Sequence, residues 1–328
     1  MNQPAQPLTQ PLTQPKRLEL PLARASVDRS GEIRLNPDEL DRLWNTGKIL
    51  HHASGKFLVT ESSQLKFLSA GEIDNLKLTR RFESGEKIFL GIEKEIGYFA
   101  WCSDALNLED HEEDSTFQTL RAIGDGLTDL EMGLAVHAQA LANWHHAHQY
   151  CARCGATTSA GQGGTLRKCD KDSSEHYPRT DPAIIVLIKD KDDRVLLGRQ
   201  KVWPEHRFSC FAGFVEPGES FEHCVAREVG EEAGVNIEDV FYLGSQPWPF
   251  PASIMIAFQA FTNNPEAARP DGQEIEQVRW LSRSDMKEAI ADKSLLLPPI
   301  MSVARKMIEA WYGPNAGVDL TGGESWRP

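Results

Sequence analysis

Short runs in which apolar residues alternate with polar ones recur along the chain, and they predict strands. Lys56–Thr60, Lys87–Ile92 and Ile96–Trp101 are rich in β-branched and aromatic residues. The period then changes. Leu127, Leu130, Leu134, Ala138 and Leu141 recur at helical spacing, which predicts a helix near Leu127–His145. Beyond it, Ala183–Lys189 and Val195–Gln200 read as strands joined by the charged turn Asp190–Arg194, and Phe208–Val215 as another extended run. A helix follows, then strand-like Ile254–Phe261 and Val278–Leu281, and helical patterns over Arg283–Ala291 and Met301–Trp311. Strands interleaved with helices predict an α/β fold.

The same pattern divides the chain. Residues 1–16, MNQPAQPLTQPLTQPK, carry no charge before Lys16 and cannot bury a core, so a disordered tail is expected. Residues 17–150 are expected to form a mixed α/β domain and 151–178 a compact, Gly- and Ser-rich insert. Residues 179–312 are expected to form the main α/β domain, and the Gly-rich 313–328 a loose tail. No solenoid-type repeat is visible.

Composition narrows the class. The 328 residues suggest two domains at roughly 150 residues each. Forty per cent hydrophobic and 25% charged residues exclude disorder for most of the chain. No apolar run nears the ~20 residues of a membrane span. No basic stretch leads into an apolar one near Met1, so a cytoplasmic location is expected. Against 48 Asp+Glu stand only 35 Lys+Arg, and the net charge of −13 argues against indiscriminate nucleic-acid binding. An anionic substrate would therefore need a local source of positive charge.

Gly213–Val235, GFVEPGESFEHCVAREVGEEAGV, holds the densest chemistry. Phe221–Glu232 is a helix candidate with Ser220 as N-cap and Gly234 as stop. Glu228 and Glu232 share a face, with Glu231 beside them. Such a ridge is either a solvated acidic surface or a site for a hard divalent cation, which takes oxygen ligands. The segment resembles the Nudix box, G-x5-E-x7-R-E-U-x-E-E-x-G-U. Gly213, Glu219, Arg227, Glu228, Val229, Glu231, Glu232, Gly234 and Val235 fill its defined positions. The resemblance implies a loop–helix–loop on an α/β/α sandwich and hydrolysis of a nucleoside diphosphate linked to another group. It assigns Mg²⁺ or Mn²⁺ to Glu228 and Glu232, with Glu231 as ligand or base and Arg227 holding Glu219.

Ser245–Ser253, SQPWPFPAS, is stiffened by its prolines and cannot be an interior strand or a helix. Its aromatics either pack on the core or stack on a ligand ring. Following a Nudix box, this segment resembles the signature of NADH pyrophosphatases, which include the bacterial enzymes that remove NAD caps. The resemblance covers about Leu127–Trp311. It implies a homodimer and a dinucleotide site lined by Gln246, Pro247, Trp248, Pro249, Phe250, Pro251, Ala252 and Ser253. It also implies a metal contact from the Ala212 carbonyl, a distant ligand at Glu274, nicotinamide contacts from Tyr177 and Phe214, and Ala304 near the substrate. Arg121 is a weaker match to a substrate-binding basic residue. Glu276 rivals Glu274, which is preferred for its register against Trp280.

Of six cysteines, Cys102, Cys210 and Cys224 read as buried filler. Cys151, Cys154 and Cys169 read as metal ligands in a reducing compartment. The family closes a zinc site with four cysteines, and here Asp172 stands at the fourth position. Asp172, Asp170, His176 and His148 are the candidate substitutes. Zinc bound with a non-Cys ligand, a weakened site and a metal-free loop all remain open. The histidines of Trp144–His148 are expected to be a solvated helix end.

The expected reaction is hydrolysis of NAD(H) to nicotinamide mononucleotide and AMP, with NAD-capped RNA as a related substrate. The alternatives are a Nudix hydrolase acting mainly on ADP-ribose or other nucleoside diphosphate derivatives, and a non-catalytic Nudix-fold nucleotide sensor.

Overall fold

A computed structural model describes residues 15–78, 82–105 and 117–321. Residues 1–14 of the expected tail and residues 322–328 lie outside these. The first part contains β1 (Lys48–Ala53), β2 (Lys56–Leu58), β3 (Phe67–Leu68), β4 (Phe82–Glu93), β5 (Ile96–Ala105) and β6 (Phe117–Thr119). Its helices are α1 (Pro37–Thr46), α2 (Ala70–Leu78), α3 (Leu120–Ile123) and α4 (Asp129–Ala147). The sheet order is β4-β5-β1-β2-β6, with β3 also on β1 and a parallel β1–β5 pair. Side chains alternate across the sheet. Ile88 and Leu90 point to α4, where Leu134, Ala138 and Leu141 pack, whereas Phe89 joins Leu43, Trp44 and Ile73 on the opposite face. Thr128 starts α4 with a capping box to Glu131.

The cysteine segment folds as a small antiparallel sheet of β7 (Thr158–Gly161), β8 (Leu166–Cys169) and β9 (Glu175–His176). The last part contains β10 (Asp181–Lys189), β11 (Val195–Gln200), β12 (Phe211–Phe214), β13 (Val240–Trp248), β14 (Ser253–Phe261) and β15 (Ile275–Leu281). Its helices are α5 (Phe221–Ala233), α6 (Arg283–Ala291), α7 (Val303–Tyr312) and α8 (Ala316–Asp319). The order is β13-β14-β10-β11-β15, with β12 on β10 and a parallel β10–β14 pair. Ile184, Val186 and Ile188 of β10 meet Cys224, Val225 and Val229 of α5, while Ile185 and Leu187 meet Val303, Met307 and Ile308 of α7. One strand buried on both faces makes an α/β/α sandwich.

Two expectations need correcting. The segment from Gly313 is not uniformly loose: α8 forms, and Leu320 is fully buried because the apolar core of α6 and α7 extends over it. The histidine cluster is not all solvated. His145 is buried, its Nε2 lies 2.7 Å from the Gly164 carbonyl and its Nδ1 lies 2.8 Å from Arg167 Nη1, because the cysteine segment folds over the helix end. No helix among the described residues is long and apolar enough to cross a membrane.

Candidate active site

The β10–β12 ladder sets Gly213 opposite Ile184 and under α5. A Cβ at Gly213 would lie 1.9 Å from the Glu228 carboxyl carbon, so the absent side chain makes room for this carboxylate. Ser220 caps α5 by accepting from the His223 amide at 3.2 Å, and Gly234 ends it in the left-handed region at φ 69°. Arg227 then ties loop to helix. Its Nε and Nη2 donate to Glu219 at 2.8 and 2.9 Å, and its Nη1 donates to Glu228 at 2.8 Å and to Glu231 at 3.3 Å. This fork holds the Glu219 carboxyl down at about 2.

Glu232 is the most buried of the box glutamates, at 5% exposure, and its Oε2 has no hydrogen-bond partner among the described residues. Burial first, then Glu228, Glu274, Asp271 and Glu231, push its carboxyl up to about 8. Burial also raises Glu228, against the pull of Arg227. An orphaned buried oxygen among several carboxylates is costly alone and fits a divalent cation. Glu231 is exposed.

Glu274 and Glu276 have separate fates. Glu276 is ion-paired by the buried Arg199. Glu274 is exposed, lies close enough to raise Glu232, and donates its backbone N–H to Asp271 at 3.2 Å. Asp271 also accepts from Gln273 and Ile275, so it builds the turn that carries Glu274. Sequence reasoning missed Asp271, although Asp before Gly is a turn signal. Ala212 pairs with Ile185 on β12, next to Gly213.

The proline-rich segment enters the fold as an edge strand: Gln246–Trp248 close β13 against Met255–Ser253. Prolines are tolerated at an edge, where one side of the ladder needs no donor. Trp248 and Phe250 meet edge-on at 5.0 Å and pack on the core shared with α4. Arg121 covers both rings, at 5.5 Å from Trp248 and 4.4 Å from Phe250. Ala252 and Ser253 lead into β14, and the Ala252 carbonyl accepts from the Asp181 amide at 2.8 Å. Gln246 sits elsewhere. Fully buried, it accepts from the Leu22 amide at 3.0 Å and donates to the Met301 carbonyl at 3.0 Å. Ala304 is likewise inside the core of α7. Tyr177 and Phe214 are exposed, and the Tyr177 hydroxyl donates to Glu175 at 2.7 Å.

In the cysteine segment, ligand atoms of Cys151, Cys154, Cys169 and Asp172 all lie within 4.8 Å of one another. Backbone amides of Lys171 and Asp172 donate to the Cys169 sulfur, and that of Arg153 to the Cys151 sulfur, each at 3.4 Å. His176 contacts Ser174 and also reaches the Cys151 thiol, His148 turns back to the Trp144 carbonyl, and Asp170 accepts from Thr157 and Ser159. Of the candidates for the fourth position, Asp172 is the one grouped with all three sulfurs within 4.8 Å. Among the described residues no other group of three or more such side chains comes this close, so the carboxylates around α5 stand further apart.

Residues 179–299 match the family model of the NUDIX domain, and residues 46–144 match that of the NADH pyrophosphatase-like rudimentary NUDIX domain. The chain is 35% identical over 300 residues to the NAD-capped RNA hydrolase NudC of Mycobacterium bovis (strain BCG / Pasteur 1173P2), covering 88% of this chain and 94% of that protein. It is 36% identical over 201 residues to the human NAD-capped RNA hydrolase NUDT12, covering 58% of this chain and 43% of that protein. A crystal structure of a NUDIX hydrolase from Nitrosomonas europaea aligns with TM-score 0.36 and 23% identity, over 42% of this chain and 79% of that one. With both domain matches and nearly full-length similarity to the mycobacterial protein, the chain belongs to the Nudix hydrolases, in the family that joins this domain to an NADH pyrophosphatase-like one.

Proposed function

We propose that the protein hydrolyses the pyrophosphate bond of NAD(H), giving nicotinamide mononucleotide and AMP, and acts on the same bond in NAD-capped RNA. The observation that carries this reading is the joining of the α5 carboxylate site to the proline-rich segment in one sheet. The similarity to NAD-capped RNA hydrolases supports the substrate class.

Mg²⁺ or Mn²⁺, when bound, neutralises phosphate oxygens and acidifies a coordinated water. Glu228 and Glu232 are the proposed ligands, with Glu274 and the Ala212 carbonyl completing the oxygen set. Glu231 is exposed and within reach of solvent, and Arg227 links it to Glu228, so it is placed to accept a proton. Arg227 and Glu219 hold α5 against the β12 loop. Trp248 and Phe250, backed by Arg121, offer ring surface to the dinucleotide, with Pro247, Pro249, Pro251, Ala252 and Ser253 shaping that wall and Tyr177 and Phe214 exposed to the nicotinamide end.

Zinc held by Cys151, Cys154, Cys169 and Asp172 is proposed as a structural ion, since three thiolates and a carboxylate complete a tetrahedral donor set. A cytoplasmic location is supported by six cysteines outside any disulfide, and a homodimer by the family resemblance. The test is a substrate panel of NADH, ADP-ribose and NAD-capped RNA at two salt concentrations. NADH and the capped RNA are expected to lead, and a clear preference for ADP-ribose overturns the reading.

A further inference from the structure

The prolines at 247, 249 and 251 bring carbonyls but no N–H groups, and the Phe250 amide is spent on the Trp248 carbonyl at 2.7 Å, so this segment is held largely through its acceptors. Two of those acceptors find one donor. Asn143 Nδ2 donates to the Pro249 carbonyl at 3.0 Å and to the Pro251 carbonyl at 2.8 Å. Asn143 belongs to α4, more than a hundred residues away in the chain and in the other domain. Its own Oδ1 accepts from Gln139 Nε2 at 2.8 Å, one helical turn back. Gln139 Oε1 lies 3.3 Å from Nε2 of the buried His52 on β1. Burial holds His52 neutral, down at about 4, and because the Gln139 oxygen can only accept, the ring proton belongs on Nε2, giving a one-way series of donors: His52 to Gln139 to Asn143 to the two proline carbonyls.

We infer that Asn143 is a positioning residue through which the N-terminal domain sets the substrate preference of the Nudix site. The inference rests on the proposed dinucleotide role of the proline-rich segment. Trp248 and Phe250 flank Pro249, so any slip of these carbonyls moves both rings. Glu228 and Glu231 are held separately, by Arg227, and among the described residues no hydrogen bond joins them to this series of amides. Loss of Asn143 therefore weakens recognition of the group that stacks on the rings and spares the hydrolytic step. A merely structural role would lower turnover of every substrate alike.

Asn143→Asp keeps the side-chain shape and puts an acceptor where the donor stood. It is expected to raise KM for NADH by about tenfold while kcat holds within about threefold. On this proposal the nicotinamide ring, which ADP-ribose lacks, sits on Trp248 and Phe250 beside Tyr177 and Phe214, so KM for ADP-ribose should move by less than about threefold. Asn143→Ser, with one donor, should fall between. Hydrogen exchange of the peptide spanning residues 246–254, read without substrate, should quicken in Asn143→Asp. Equal losses on both substrates, kcat falling in step with KM, or unchanged exchange in that peptide overturns the inference. If Asn143→Asp does not fold, Gln139→Glu, which removes the donor behind Asn143, is held to the same outcomes. A wild-type enzyme that prefers ADP-ribose overturns the substrate reading instead, and the exchange rate then decides the positioning role alone.

Discussion

The side-chain space of Gly213 is occupied by the carboxyl group of Glu228, whose carbon would lie 1.9 Å from a Cβ at that position. The glycine at the start of the motif thus serves the carboxylate fifteen residues later and not a turn. Its φ is not among the positive ones, so alanine fits the backbone and only the carboxylate must move. Gly213→Ala should lower kcat/KM by about a hundredfold while the circular dichroism stays native. Near-normal turnover would show that Glu228 does not need this position.

Arg227 grips Glu219 with two nitrogens, a geometry that lysine cannot copy. Arg227→Lys should cost roughly 10–100-fold in activity, as expected when a group that orients metal ligands is lost. Glu219→Gln should cost a similar factor, and the double variant little more, because both act through one contact. Additive losses in that cycle would contradict a shared role.

The raised carboxyl of Glu232 has a consequence for stability. Its folded-state value of about 8 lies above the ordinary 4.5, so the folded protein holds an extra proton between those values. The corresponding stability is complete below about pH 4.5 and is lost as pH rises through about 8. Glu219 works in the opposite sense and lower down: its contribution is present above 4.5 and is lost as pH falls toward about 2. The melting temperature of metal-free protein, compared between wild type and Glu232→Gln, should diverge from pH 5 to 8 as the wild type loses ground, the range being about that of the shift. Saturating Mn²⁺ should reduce the divergence. Parallel curves in metal-free protein would contradict the buried, unpartnered state of Glu232.

The cysteine segment is expected to carry about one zinc per chain. Asp172→Ala should release that zinc at lower chelator concentration, and Asp172→Cys should retain it at higher, both read by metal analysis. Equal retention in the three proteins would remove Asp172 from the ligand set.

Local signals made much of this molecule legible. Ser220, the carboxylate ridge and Gly234 lie within one short stretch, so α5 and its acidic face can be read directly. The prolines likewise announce an edge or a loop, and Gln246–Trp248 is an edge. What stayed hidden depends on partners far along the chain. β1 reads KILHHA, and its buried histidines mask the apolar pattern until Ser103 is seen beside His51 and Gln139 beside His52. His145 looked solvated because Arg167, twenty-two residues on, supplies its cover only after the cysteine segment folds. Gln246 lies in a ligand-type motif, yet its side chain ties Leu22 to Met301 inside the core. Spacing cannot distinguish that role from a binding one, because both use a polar side chain at an edge strand.

The most direct test is identification of the products formed from NADH with Mg²⁺ or Mn²⁺. Hydrolysis at the pyrophosphate predicts reduced nicotinamide mononucleotide and AMP in equal amounts, abolished by chelator and by Glu232→Gln. Release of the nicotinamide base with ADP-ribose left intact, or cleavage that persists in Glu232→Gln, would contradict it.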